Sequence, residues 1–465
     1  MASEFEGAPL GDERRTKRLV SIAGAISAAP DRTIPQIARD DAELEAVYRL
    51  LNNDALKPED MLEPHYLATA ERARECKTTL VIHDITELSF PLEEDQKEGC
   101  GLLGSRQGFR LAPALALAGD ESNRPLGLLN VATWVVEVSR KKRKGKKKRG
   151  NTWGSTPATK WAEFVNQSEA VMGAHGRLIH IMDREAGVYE LFAELISNTR
   201  GFVIRMKKNR MVGLNKSDPA LINIHEAAAR LENMVEVEVP LSRRKPTYLV
   251  QRNPPRDARI ARLGFAAARI RLERPSCQPA SLAKSLDLNM VVVRELAAPE
   301  GEEPVEWLLA TSEPIATADD VKRIVNSYRA RWTIEEYFKA LKTGCRIQSR
   351  QLESMAALER LLAIFLVVSW RILLLRQQSR KTPDEPATPT FSELQLGVLR
   401  ATGRVPLPQR PTLRQALSAV AALGGHIKNN GDPGWHVLAR GMESLLERTV
   451  GCVSMLRLFL GARKM

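Results

Sequence analysis

The chain has no cysteine pair at CxxC spacing and no histidine pair at HxH or HxxxH spacing. Its five cysteines (Cys76, Cys100, Cys277, Cys345 and Cys452) are scattered over 465 residues, as are its seven histidines. That argues against a disulfide frame or a structural zinc site and for reduced thiols in a reducing compartment. The N-terminus lacks a basic-then-apolar leader, and no run of about 18 apolar residues occurs, so no membrane partner and a cytoplasmic address are expected. Internal repeats are absent as well.

Positive charge, by contrast, is in excess. Lys and Arg number 69 against 56 Asp and Glu, for a formal net charge of +13 and a pI near 9.6. A large basic chain favours a phosphate-bearing partner, because each neutralised phosphate releases condensed counterions. Nine of the cations lie in RKKRKGKKKR at 140–149, which leaves +4 for all other residues. Such a run suits a solvated segment that tracks nucleic acid without reading its sequence; a nuclear address is the other reading. The length suggests roughly three domains, and a hydrophobic fraction of 43% can bury sizeable cores.

Residues 1–65 read as small helices. Leu10-Gly11-Asp12 opens a basic one carrying Arg14, Arg15, Lys17 and Arg18, Thr33 to Pro35 breaks the pattern, and a second helix covers about Ala42 to Leu51. Arg14, Arg15 and Arg18 suit either duplex binding or an ordinary solvated face. From Thr78 the pattern turns to strands. Thr78–Ile82 leads to His83-Asp84, and apolar runs follow near Leu111–Leu117, Leu126–Leu129 and Ala132–Val138. After a helix over Trp153–Met172, a strand over Leu178–Met182 delivers Asp183. Another helix spans Gly187–Ser197, and a strand over Gly201–Arg205 ends in Arg205, Lys207, Lys208 and Arg210. Antiparallel strands, a helix, then strand–helix–strand is the order of an RNase H-like core. Residues 211–306 read as a β-rich insertion, with strands at Val235–Val239, Ala261–Leu272, Leu288–Leu296 and Trp307–Ala310. Residues 66–375 are therefore taken as the α/β core. Residues 376–465 form a Pro-rich linker and a helical C-terminal unit, whose last helix carries Val437, Leu438, Met442, Leu445 and Leu446 at helical spacing.

One stretch organises the functional reading: YRARWTIEEYFKALK, residues 328–342. Tyr328, Arg331, Glu335 and Lys342 fall within roughly a 60° arc if the stretch is helical, beside an apolar face of Ile334, Phe338 and Leu341. Asp84 and Asp183 both end apolar strands, where α/β sheets host polar chemistry. Taken singly each aspartate also suits a turn or a helix cap, and Arg331 with Glu335 is an ordinary i, i+4 pair. Taken together, Asp84, Asp183 and Glu335 make three hard oxygen donors that select two magnesium or manganese ions. Arg331, Lys339 and Lys342 would hold a scissile strand by its phosphates. His83 alternates to the opposite strand face and is left out of the ligand set.

HDITELSF around Asp84, DREAGVYELF from Asp183, EWLLATSEP around Trp307 and YRARWTIEEYFKALKTG from Tyr328 resemble the bacterial insertion-sequence-four family of DDE transposases, with the Y-x2-R-x3-E-x6-K spacing kept. The likeness runs from LGDERRTKRLV to ALGGHIKN and the Trp435 segment. It implies an RNase H-like (retroviral integrase) catalytic core with a β insertion, flanked by an N-terminal DNA-binding domain and a C-terminal dimerisation domain. It also implies cut-and-paste transposition by a homodimer acting on transposon ends and target DNA, near the nucleoid of a bacterium. By motif, Asp84, Asp183 and Glu335 are implied as metal ligands. Tyr328, Arg331 and Lys342, helped by Arg205 and Lys207, would hold the hairpin-end phosphates and the flipped base. Trp307 would stack on that base, and Arg14, Arg15 and Arg18 would bind the terminal repeat. Trp332, beside Arg331, suits either the core or DNA. The sequence departs from the family at Asp84-Ile85-Thr86, where Asp-Thr-Thr is usual, and the 140–149 run has no place in the pattern. Two rivals stay open: a DNA-binding protein derived from a transposase whose chemistry is lost, and a nuclease that cuts without joining.

Overall fold

Strand β1 (Thr79–His83) buries all five of its side chains, as a strand covered on both faces must. Alternation sends Leu80 and Ile82 into one hydrophobic cluster and Val81 into another. The computed structural model describes residues 2–92, 96–135, 157–174, 176–206, 209–214, 220–244, 255–388, 390–402, 404–427 and 433–462. The basic run at 140–149 and Lys207 lie outside the described residues.

After β1 come β2 (Thr86–Phe90), β3 (Gly101–Leu103), β4 (Arg106–Ala118), β5 (Pro125–Trp134), β6 (Leu178–Met182) and β7 (Gly201–Arg205). Strand β4 pairs antiparallel with β1 on one side and β5 on the other, while β1, β6 and β7 run parallel. The spatial order β5-β4-β1-β6-β7 is thus three antiparallel strands followed by a parallel pair, with α5 (Pro157–Met172) between β5 and β6 and α6 (Tyr189–Ser197) between β6 and β7.

The β-rich stretch does not fold apart from this core. It supplies β8 (Met211–Gly213), β9 (Ile222–Asn223), β10 (Val235–Leu241), β11 (Arg259–Glu273), β12 (Ser285–Glu295) and β13 (Glu306–Thr311). Strand β13 pairs with β7, Leu309 opposite Arg205, so the insertion extends the same sheet to thirteen described strands. The short α7 (Ile224–Ala229) packs on it among the buried residues of one face, with α5 and α6.

The opposite face is covered by α8 (Ala318–Ala330), α9 (Trp332–Lys339) and α10 (Met355–Lys381), joined there by N-terminal helices. These are α1 (Glu13–Ala28), α2 (Ile34–Ile37), α3 (Asp41–Leu51) and α4 (Pro58–Arg74). Asp12 caps α1 through the backbone N–H of Arg14. The Thr33–Pro35 break is itself a helix start, because Thr33 caps α2 and Pro35 sits in its first turn, where no N–H is needed. The boundary read at 65/66 falls inside α4, and the one at 375/376 falls inside α10. Both helices run on because their apolar faces pack on the core, burying Met61, Leu62 and Ala70 in α4 and Leu373 and Leu375 in α10.

The C-terminal region holds α11 (Glu393–Thr402), α12 (Leu413–Leu423) and α13 (Trp435–Ala462). The apolar stripe of α13 packs on α11 and α12 of its own chain, with Leu438 and Leu445 buried. Gly424 and Gly441 allow the close approach: a Cβ on Gly424 would lie 1.9 Å from Val437 O and one on Gly441 2.0 Å from Val420 O. Among the described residues no helix is long and apolar enough to cross a membrane.

Candidate active site

The last paired residues of β1 and β6 are His83 and Met182, so Asp84 and Asp183 leave the sheet side by side at the C-terminal ends of adjacent parallel strands. Strand neighbours lie about 4.8 Å apart, which brings two such side chains to one place. Asp183 makes no side-chain cap to the turn that follows. Asp84 accepts at Oδ1 from the N–H of Ile85 (2.8 Å) and at Oδ2 from Arg331 Nη1 (2.6 Å).

The stretch read as one helix from Tyr328 to Lys342 comes in three pieces. Helix α8 ends at Ala330, Arg331 links it to α9 with helical angles (φ −51°, ψ −32°), and Ala340–Gly344 form a π turn closed by Cys345 N–H to Ala340 O at 2.8 Å. The chain keeps its direction, and its polar side chains meet the strand ends. Tyr328 Oη donates to Asp183 Oδ1 (3.0 Å), Arg331 reaches Asp84, and Lys342 Nζ donates to Thr86 Oγ1 (2.7 Å). Ile334, Phe338 and Leu341 are buried on the other side. Thr86, though preceded by Ile85 where the family has Thr, thus still offers a hydroxyl to the site.

Electrostatics separate the two aspartates. Burial pushes the Asp84 carboxyl up to about 6 against the pull of Arg331, with Glu335 and Asp183 adding to the rise. Burial acts on Asp183 too, but the Arg184 backbone N–H, the Arg331 guanidinium and the Tyr328 hydroxyl outweigh it and hold that carboxyl below its usual value. Burial lowers the Lys342 ammonium, with Glu87 and Glu335 opposing.

Glu335 lies one turn after Arg331, and its Oε1 is 4.0 Å from Arg331 Nη1. One guanidinium nitrogen therefore stands between Asp84 and Glu335. The donor set suits a hard divalent cation: three carboxylates, with Asp84 raised by burial and by its acidic neighbours. In the present arrangement, however, Arg331 is the partner of Asp84, and the described residues contain no group of three or more His, Cys, Asp or Glu side chains placed to hold a metal.

Around this centre, Trp307 on β13 is half-buried and packs edge-on against Tyr328, ring centroids 5.4 Å apart. Arg205, at the end of β7, donates to Glu306 O (3.2 Å) and lies close enough to lower Asp183. Lys339 points elsewhere: it is exposed, with its Nζ 5.7 Å from the ring centroid of Trp332, which is 60% exposed. On α1, Arg14 and Arg18 are exposed while Arg15 Nη1 binds Leu10 O, and the other side of that helix buries Leu19, Ile22 and Ile26.

Sequence reasoning missed the residues behind the site. Arg210 Nη2 donates to Gly187 O (3.3 Å) in the turn that follows Asp183. On the far face of the sheet, His83 bonds His180, a pairing that no local spacing could signal. The Asp84–Arg331 contact spans 247 positions; the shared helical arc hinted at Arg331 but not at its partner.

Residues 1–56 match the family described as transposase DNA-binding, and residues 155–370 match the transposase DDE domain. The DDE domain implies an RNase H-like fold, and domains of this kind generally use divalent metal ions to cleave DNA. The chain thus carries a region matching the transposase DNA-binding family ahead of one matching the transposase DDE domain, and together these matches support a DDE DNA transposase with DNA as its partner.

Proposed function

We propose that the chain is a cut-and-paste transposase of the insertion-sequence-four type, nearest in kind to the Tn-five transposase. It would act as a homodimer on paired transposon ends in the bacterial nucleoid. The observation that carries this reading is the emergence of Asp84 and Asp183 from paired strand ends, each contacted by a side chain of the Tyr-Arg-Glu-Lys stretch.

Asp84, Asp183 and Glu335 would hold two magnesium or manganese ions. When bound, these supply Lewis-acid stabilisation of the attacking and leaving oxygens of an in-line phosphoryl displacement. Water nicks each transposon end to leave a 3′-hydroxyl, which attacks the opposite strand to give a hairpin. Water then reopens the hairpin, and the freed 3′-hydroxyl attacks target DNA.

The chain's own residues position the DNA. Arg331, now paired with Asp84, is the group that exchanges a carboxylate for a phosphate as the end enters, which would free Asp84 to face Glu335. Lys342 holds phosphates beside it, with Arg205 and Lys207 assisting, whereas Lys339, turned toward Trp332, is left out of this set. Trp307, held edge-on against Tyr328, offers a face for a flipped base, worth about 1–3 kcal/mol by the general stacking value. Arg14, Arg15 and Arg18 bind the terminal inverted repeat.

The test first searches the DNA flanking the gene for inverted repeats and uses those found as substrate. Linear DNA bearing them is incubated with the protein and magnesium, then resolved on denaturing gels. Nicks, hairpins and joined products are expected. Binding without nicking would sink the reading in favour of a DNA-binding relic, and free 3′-hydroxyl ends that are never joined would favour a nuclease.

A further inference from the structure

Among the described residues, the chemistry above leaves unused a buried polar chain behind the two aspartates. His83 on β1 and His180 on β6 point to the face covered by α5, and both are buried. His83 Nε2 is 2.8 Å from His180 Nδ1, with the ring centroids 5.1 Å apart. His180 Nε2 is 3.1 Å from Oε1 of Glu169 on α5, and Glu169 Oε2 accepts from Arg200 Nη1 at 2.9 Å.

Protons on this chain can be ordered from its far end. Glu169, paired with Arg200, is an acceptor, so His180 donates from Nε2 and keeps Nδ1 bare. His83 must then donate from Nε2. Four residues are thereby linked in one sense, and the link crosses between the two aspartate-bearing strands. His83 immediately precedes Asp84, and His180 is three residues before Asp183. Because the ladder between β1 and β6 ends at His83 and Met182, this side-chain bridge ties the two strands together beside the point where the aspartates leave the sheet. Breaking it would leave an imidazole nitrogen unsatisfied away from water, which makes the bond, and the strand spacing it sets, costly to lose.

We infer that His83, His180 and Glu169 are positioning residues that set the separation of Asp84 and Asp183 for divalent-cation binding. The inference rests on the reading of those aspartates as the metal-holding carboxylates. Outer residues that orient metal ligands typically change affinity by about 10- to 100-fold when lost.

The experiment measures manganese binding to the full chain by the electron-paramagnetic-resonance signal of the free ion, with DNA-end binding in EDTA as a parallel readout. H83L should weaken manganese binding about tenfold and leave end binding within about twofold. H83Q, whose amide can donate from the same place as Nε2, should recover most of the affinity. Unchanged manganese affinity in H83L overturns the inference. Should H83L fail to fold, E169A, which removes the acceptor of His180 Nε2–H, carries the same measurement, and unchanged affinity there overturns it equally. D183N separates the two levels. If D183N abolishes binding while H83L leaves it intact, only the positioning role falls; if D183N binds manganese like the parent chain, the metal-holding role of the aspartates falls with it.

Discussion

At the scale of single residues, the site sets carboxylates against one arginine. Arg331 holds Asp84 at 2.6 Å and stands 4.0 Å from Glu335, while Tyr328 secures Asp183. Glu335 is the most exposed of the three carboxylates, its side chain 38% accessible, and makes no contact that the fold depends on. Glu335→Ala should therefore bring end cleavage below detection while leaving the thermal midpoint and end binding unchanged; cleavage that persists would remove Glu335 from the site. EDTA should do the same to the parent protein, abolishing nicks on denaturing gels but not band shifts. Lys342 acts as a point charge, so Lys342→Ala should weaken binding of all DNA sequences alike and reduce the slope of log affinity against log salt by about 1.

At the scale of elements, two details shape how the pieces dock. The π turn over Ala340–Gly344 places Lys342 on Thr86, and π turns commonly mark functional positions in helices. Helix α4 is held by the start of the chain. Glu4 accepts from Arg72 Nη1 (2.9 Å) and lies 2.5 Å from His65 Nδ1, while His65 Nε2 accepts from the N–H of Leu128 on β5. Burial alone would raise the Glu4 carboxyl, but His65 and Arg72 bring it down to about 2, whereas burial holds His65 below its usual value. The unfolded chain then binds protons more readily than the folded one at both groups. Their stabilisation is complete above neutral pH, starts to fall as His65 is charged, and is lost most steeply between pH 4.5 and about 2. For Glu4 this amounts to about 3 kcal/mol. Thermal midpoints measured over this range should fall less steeply for Glu4→Gln than for the parent, and parallel curves would refute the linkage.

For the molecule as a whole, buried arginines lock the N-terminal helices to α10 and to the turn before it. Arg350 donates to the carbonyls of Pro30, Arg32 and Cys345 and stacks on Phe365, its guanidinium carbon 4.7 Å from the ring centroid. Arg360 on α10 donates to Leu51 O and Leu56 O, both at 2.8 Å, and to Asp54. The region matched as DNA-binding therefore shares rigid contacts with the helix that follows the Lys342 turn. Arg360→Met would leave two carbonyls without their donor and should cost about 3 kcal/mol. Calorimetry should show the lower midpoint, and proteolysis should cut first between α3 and α4.

Local patterns alone placed Asp84 and Asp183 after apolar strands, because a buried strand must be a short apolar run and its end must turn to water. They also placed Tyr328, Arg331 and Lys342 on one side of a helical stretch, since 3.6 residues per turn fixes which side chains share a face. The positions of β10 to β13 in the insertion were legible for the same reason, whereas the two- and three-residue strands β8 and β9 were too short to show a period. That these strands continue the core sheet through β13 and β7 was not, because strand pairing is decided by contacts more than a hundred residues apart. Nor could spacing foretell that Arg331 would take Asp84 as its partner, that His83 would meet His180, or that α4 and α10 would run through the supposed boundaries. A side chain's type and periodicity are written along the chain, whereas its partner depends on which distant surfaces are buried together.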